Sequence, residues 1–227
     1  IPYSAMRMHP ILPVTLEDGS FSSPLQLLNS DLANPVHQLY NGRDNNSESW
    51  RIFGNAFLEI NPWLEGLYLK TNIGIEHVQY NSTSYGRKIN DSDVNSMSRS
   101  FGQGDTWTWS NTLRYENVFG DHHVNALVGT EAIGYTYDGF DASKRGYAFE
   151  DKHYMVLGTG EDDPACGGGR SEWALFSIFA KADYNYADRY LVSATLRRDA
   201  TSRLYKGNNS GIFPAFSAAW RFTEESF

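Results

Sequence analysis

Two runs in the last quarter of the chain alternate cleanly between apolar and polar residues. In the first, which starts near Trp173, Phe176, Ile178, Ala180, Ala182 and Tyr184 share one face, and Ser177, Phe179, Lys181, Asp183 and Asn185 the other. In the second, Tyr190, Val192, Ala194 and Leu196 oppose Leu191, Ser193, Thr195, Arg197 and Asp199. A period of two is that of a β-strand, whose side chains point alternately to opposite sides of a sheet. Ala187–Asp188–Arg189 joins the runs, so they predict a hairpin with a short turn.

The same signal recurs upstream. Ile52, Ala56, Leu58 and Ile60 oppose Arg51, Asn55, Glu59 and Asn61; after "NPWLEG", Leu67, Leu69, Ile73 and Ile75 oppose Tyr68, Lys70, Asn72 and Glu76. Trp107, Trp109, Leu113 and Tyr115 oppose Thr108, Ser110, Thr112, Arg114 and Glu116. The turn "FGDH" then leads to Val124, Ala126, Val128 and Ala132, opposite Asn125, Leu127 and Glu131. A last strand sets Phe216, Ala218, Trp220 and Phe222 against Ser217 and Arg221. The pattern predicts about seven strands of ten residues or slightly more.

Their connections alternate in length. Short turns separate members of a pair, whereas polar stretches at about 79–105 and 138–171, and the shorter "TSRLYKGNNSG", separate the pairs. Residues 1–48 carry Pro10, Pro13, Pro24 and Pro35 among many Asn, Ser and Asp, and are expected to be mainly loop; 49–227 hold the hairpins. Alternating faces, short turns on one side, long loops on the other and aromatics (Trp63, Tyr184, Tyr186, Tyr190) near the short turns are the pattern of a transmembrane β-barrel. The expected fold is therefore all-β: antiparallel strands of a partial barrel whose apolar face meets lipid and whose polar face lines a lumen. Phe176, Ile178, Ala180, Val192, Ala194 and Leu196 are the expected lipid contacts. A soluble antiparallel β-sandwich, serving as a binding or adhesion module, shares the alternation and is the alternative.

Composition narrows the function. Aromatics at 15% and 20 glycines suit strands and turns, and a net charge of -8 argues against nucleic acid, whose phosphates need a basic partner surface. Cys166 is the single cysteine, so neither an internal disulfide nor a multi-cysteine zinc site can form. No apolar run approaches the roughly 18 residues of a membrane helix. With no initiator Met before Ile1, no visible signal peptide and an end just past a strand, the sequence reads as a piece of something longer.

Chemistry-bearing motifs are sparse. Asp91, Asp93 and Asn95 alternate as in a calcium loop, but Ser96 and Gly102 stand where the turn glycine and bidentate glutamate belong, so a solvated loop is expected. His122 and His123 lack further ligands, and "ACGGGR" lacks the Lys-Ser/Thr of a phosphate loop. No metal, no cofactor and no catalytic group is expected. The candidate substrate contacts are the charged residues of the lumen face: Arg114, Glu116, Glu131, Lys181, Asp183, Arg197 and Asp199.

The segment "YADRYLVSATLRRDATSRLYKGNNSGIFPAFSAAWRFTEESF" resembles the SusC/RagA family of TonB-linked outer-membrane proteins of Bacteroidetes. Ala200, Thr201 and Ala219 stand where the family usually has Gly, Ser and Gly. "NPV" at Asn34–Val36, "GNAFLEINPWLEGLYLKTNIGIE", "TWTWSNTLRYENVFGDHHVNALVGTEA" and "GFDAS" at Gly139–Ser143 are similar to the family as well. The resemblance implies a barrel of about 22 strands filled by an N-terminal plug, which about seven strands cannot close. It further implies outer-membrane localisation, import of nutrients such as oligosaccharides or peptides, a SusD-like surface lipoprotein as lid, and TonB acting through N-terminal parts absent here. On that expectation, 138–171 would be an extracellular loop that meets substrate or lid.

Overall fold

The computed structural model describes residues 2–23, 33–89 and 93–225. Seven strands follow one another: β1 (Asn46–Ile60), β2 (Leu67–Gly86), β3 (Ser96–Phe119), β4 (His122–Arg145), β5 (Ala165–Tyr186), β6 (Tyr190–Thr201) and β7 (Ser210–Trp220). They form one sheet in the order β1-β2-β3-β4-β5-β6-β7, each bonded to its sequence neighbours. A sandwich would need two packed sheets; the described strands make one, open at β1 and β7.

The register keeps the expected faces. Ala182 lies opposite Ala194 and Ala180 opposite Leu196 across β5 and β6; Val192 meets Ala218 and Ala194 meets Phe216 across β6 and β7. Because side chains alternate with period two, this register puts the apolar sets of three strands on one face. That face is bare: Val192 is 51%, Leu196 53% and Phe216 80% exposed.

The strands outrun the alternation. Most of 79–105, expected as loop, is strand: β2 continues to Gly86 and β3 begins at Ser96. Likewise β4 runs to Arg145 and β5 starts at Ala165, leaving 146–164 as the connection. The physical reason is that these strand ends carry polar residues on both faces. Backbone pairing needs no alternation, so a pattern search cannot see them.

The short turns fall where expected. Gly66 has φ 82°, and its carbonyl accepts a 2.8 Å hydrogen bond from the Glu116 N–H. A side chain there would meet the Glu116 carbonyl, so only glycine fits both the dihedral and the approach. In the β5–β6 turn, Ala187 and Asp188 take left-handed φ of 52° and 57°. Asp188 accepts a 2.6 Å bond from Asn185, the kind of local bond that makes this conformation tolerable outside glycine.

Two compact units are present. One comprises Ile1–Trp50, Gln79–Gly102 and Asp138–Gly169; the other Arg51–Val78, Gln103–Tyr137 and Arg170–Phe227. In the first, α1 (Pro2–Arg7) and α2 (Pro35–Asn41) precede a 3-10 turn at Gly42–Asp44. Asn34 of "NPV" caps α2, accepting from the Val36 and His37 N–H groups, while its amide donates to the Val14 carbonyl at 2.8 Å. Met97, Tyr147 and Met155 are the unit's buried apolar centre, with Tyr85 and Leu157 against it.

A polar junction surrounds that centre. Arg87, 7% exposed, donates to the Glu150 and Asn41 carbonyls at 2.9 and 2.5 Å and pairs with the Asp44 carboxylate. Asn95, 2% exposed, receives the Tyr147 N–H at 2.6 Å and donates to its carbonyl at 2.8 Å. The side chain of Asn95 is thus committed to holding 146–164, not to a cation. Asp93 accepts from the Ile89 N–H at 3.0 Å; Asp91 lies outside the described residues.

Candidate functional site

The seven sequence-derived candidates all lie on strands of the second unit and form three groups. Arg114 pairs with Glu116 at 3.3 Å along β3 and places its guanidinium 4.6 Å from the Tyr68 ring centre. Lys181 and Asp183 pair at 3.0 Å along β5, and Asp183 accepts a 2.6 Å bond from the Ser193 hydroxyl on β6. Arg197 gathers the rest: it meets Glu131 at 2.9 Å, Asp199 at 2.7 Å and the buried Ser177 hydroxyl at 2.8 Å.

The Arg197 group joins three consecutive strands, β4, β5 and β6. Arg197 also lies 5.4 Å from the centre of the Phe179 ring, and Phe179 in turn occupies the space beside Gly129. A Cβ on Gly129 would come within 2.6 Å of that ring and 2.9 Å of the Asn111 carbonyl, so the missing side chain is what leaves room for the Phe179 ring. The polar face thus carries ion-paired groups, with one carboxylate in excess around Arg197, beside hydroxyls and aromatic rings. Groups so arranged can hydrogen-bond a passing polar solute without holding one ion tightly. No catalytic constellation is assembled by these contacts.

Sequence reasoning missed a second aromatic set on this face. Trp173 shares the parity of Ser177 and Phe179; its ring stacks on Tyr135 of β4 at 5.5 Å and 24°, and the Arg203 guanidinium lies 4.5 Å from its centre. Only the odd numbering of Trp173, on the polar side of its run, could have signalled it.

The apolar face carries its own aromatic cluster beside the short turns. His122, read in sequence as part of a polar turn, shares a 2.7 Å hydrogen bond with the Tyr184 hydroxyl and packs 4.9 Å from Tyr186, which stacks on Tyr190 at 6.3 Å. Glu225 closes the group, accepting from Tyr190 at 2.7 Å and Trp220 at 3.1 Å and pairing with Arg189 at 3.2 Å. Those donors, Tyr190 first, hold the Glu225 carboxyl below the ordinary glutamate range. Glu225 of "FTEESF" therefore fastens the β5–β6 turn to the end of β7; Phe227 lies outside the described residues.

No family model matches the chain. It is 27% identical over 228 residues to TonB-dependent receptor P3 of Formosa agariphila, covering 99% of this chain and 22% of the relative. TonB-dependent receptor P39 of the same organism is 27% identical over 222 residues, 92% of this chain and 20% of its own length. The relatives are TonB-dependent receptors. TonB-dependent receptor SusC of Bacteroides thetaiotaomicron is 40% identical over 53 residues, 23% of this chain and 5% of SusC. The SusC/RagA resemblance of the sequence is borne out, although the chain spans only about a fifth of the length of the first two relatives. A solved structure of the RagAB peptide transporter superposes with TM-score 0.79 at 21% identity, covering 92% of this chain and 24% of that one. At that identity the likeness speaks for the fold, and it is the fold of a TonB-dependent receptor barrel that the open sheet matches.

Proposed function

We propose that the chain is a section of the wall of an outer-membrane TonB-dependent transporter. The observation that carries this reading is the two-sided sheet. One face of β5, β6 and β7 is apolar and exposed from Tyr190 and Trp220 at the short-turn end to Leu196 and Pro214, and the other carries the Arg197, Lys181 and Arg114 groups. An exposed apolar face of this extent has no place in water and fits lipid, while the charged face fits a solvated lumen.

On this reading the polar face lines the route of an oligosaccharide or peptide, and Arg114, Glu116, Glu131, Lys181, Asp183, Arg197 and Asp199 are contacts along it. The likeness to TonB-dependent receptors and to the RagAB peptide transporter supports TonB-driven import. The SusC relative supports a SusD-like lipoprotein as partner. The connection 146–164 offers the exposed Phe149 and Tyr154, 5.6 Å apart, as a surface for substrate or that lid.

The test is uptake by cells that carry the intact receptor gene, with fluorescent oligosaccharides and peptides as probes. Accumulation of one probe class that vanishes when either the receptor or TonB is removed is the expected result. Accumulation unchanged by both deletions would overturn the proposal.

A further inference from the structure

The cations of the candidate groups have carboxylates: Arg114 has Glu116, Lys181 has Asp183, and Arg197 has Glu131 and Asp199. Arg198 stands on the other face. It is exposed and shares the parity of Tyr190, Val192, Ala194 and Leu196, so it belongs to the apolar side of β6. The register sets Ile178 of β5 on one side of it and Ile212 of β7 on the other, both exposed. Leu196 precedes it on that face, and Ala200, opposite Phe176, follows it. Among the described residues no carboxylate pairs with its guanidinium, and the Ser210 hydroxyl, 3.5 Å away, is at the limit of a hydrogen bond. A guanidinium left uncompensated on an apolar surface that meets lipid needs a partner from outside the chain.

Its height on that surface says where the partner lies. The aromatic row beside the short turns, Tyr186, Tyr190 and Trp220, marks one edge of the apolar face. From Tyr190 to Arg198 along β6 is about 26 Å at roughly 3.3 Å per residue. With strands tilted by about 35–45°, this is roughly 20 Å across the bilayer, against an apolar band about 25 Å tall. The backbone of Arg198 therefore lies just inside the opposite edge, and Phe176, one row farther on, is an aromatic at that edge. An arginine at this depth lays its methylene stem along apolar surface and extends its head to the interface. The anionic group that a bilayer offers at that level is the phosphate of a lipid headgroup, and the planar N–H fork of a guanidinium matches two phosphate oxygens.

We infer that Arg198 binds the phosphate of a membrane lipid in the leaflet away from the short turns. The inference rests on the transporter reading, which puts the apolar face in the outer membrane, and it names a partner for that face. The Ser210 hydroxyl donates its own proton while accepting from Arg198, so it adds a further donor at the same place.

The experiment is native mass spectrometry of the intact receptor in detergent, titrated with phosphatidic acid, with diacylglycerol of the same chains and with inorganic phosphate. Phosphatidic acid should bind more tightly than diacylglycerol, and inorganic phosphate at the same concentrations should not displace it. Arg198→Gln should weaken phosphatidic acid roughly tenfold to a hundredfold and leave diacylglycerol unchanged. Arg198→Lys, which keeps the charge and loses the fork, should fall between the two, and Arg203→Gln, on the polar side, should bind as the unaltered receptor does. Heat-dependent mobility on gels establishes that each variant is folded before it is titrated. Equal affinity for the two lipids, indifference to Arg198→Gln, an equal loss in Arg203→Gln, or displacement by inorganic phosphate would each overturn the inference. TonB-dependent uptake by the receptor under those outcomes leaves the transporter reading standing; a receptor that neither reaches the outer membrane nor takes up a probe removes both.

Discussion

Replacing Ala194 by arginine probes the apolar face where it is most demanding. Ala194 sits between Ala182 and Phe216, with Val192 and Leu196 two residues away on either side. Along β6 the nearest residues of that face with a polar tip are Tyr190 and Arg198, four positions off in each direction. At about 3.3 Å per residue that is roughly 13 Å, so a guanidinium at 194 cannot readily reach either interface. The hollow it would enter is lined by Ala126, Ala180, Ala182, Leu196 and Phe216 and offers no counter-charge. An arginine near the bilayer midplane costs about 2–4 kcal/mol, a factor of about 30 to 1,000 in the folding equilibrium. Thr195→Arg, one residue on, faces the polar side opposite Lys181, with Asp183 close by, and should cost no more than about 0.5 kcal/mol. The assay is urea titration of the intact receptor in lipid vesicles, read by the heat-dependent mobility of the folded barrel on gels. Comparable folding of Ala194→Arg and Thr195→Arg would refute the assignment of faces.

Other outcomes follow from single contacts. Gly129→Ala should destabilise by about 1–3 kcal/mol, because its Cβ meets both Phe179 and the Asn111 carbonyl; Gly129→Ala combined with Phe179→Leu should recover part of that loss in the same titration. Glu225→Ala, which removes the acceptor shared by Tyr190 and Trp220, should speed protease cleavage at Ala187–Arg189, and Glu225→Gln should do so less. Burial alone would raise the Asp44 carboxyl, but Arg87, Lys152 and Arg43 together hold it below its ordinary 3.8. A lowered carboxyl contributes stability that is complete above the unfolded value and is lost as pH falls through the folded one. Hydrogen exchange around Arg87 and Glu150 should therefore stay slow down to about pH 4 and quicken below it, whereas Asp44→Asn should be fast at neutral pH and flat across that window.

What the sequence disclosed depended on contrast between faces. From Tyr190 to Asp199 every second residue changes character, so strand, parity and turn could all be read. From Gln79 to Gly86 and from Ser96 to Asp105 both faces are polar, so strands there look like loop, although their backbones pair as well as any. The charged residues of the polar face were legible one by one, but their grouping was not. Glu131 and Arg197 stand 66 positions apart and meet only because β4, β5 and β6 lie side by side in the sheet. The same holds for Tyr135, Trp173 and Arg203, drawn from two strands and a connection. Glu225 was overlooked because it breaks the alternation, and the break is what frees it to fold back onto Tyr190 and Trp220.

The central claim is that consecutive residues of β6 and β7 face lipid and lumen in turn. Single cysteines at 192, 193, 194, 195 and 196, in the intact receptor with Cys166 replaced by serine because it is exposed, report this directly. After reconstitution into vesicles, a charged, water-soluble maleimide should label Ser193→Cys and Thr195→Cys, and should spare Val192→Cys, Ala194→Cys and Leu196→Cys, which a lipid-soluble maleimide labels instead. Uniform labelling by the charged reagent along 192–196 would contradict the account.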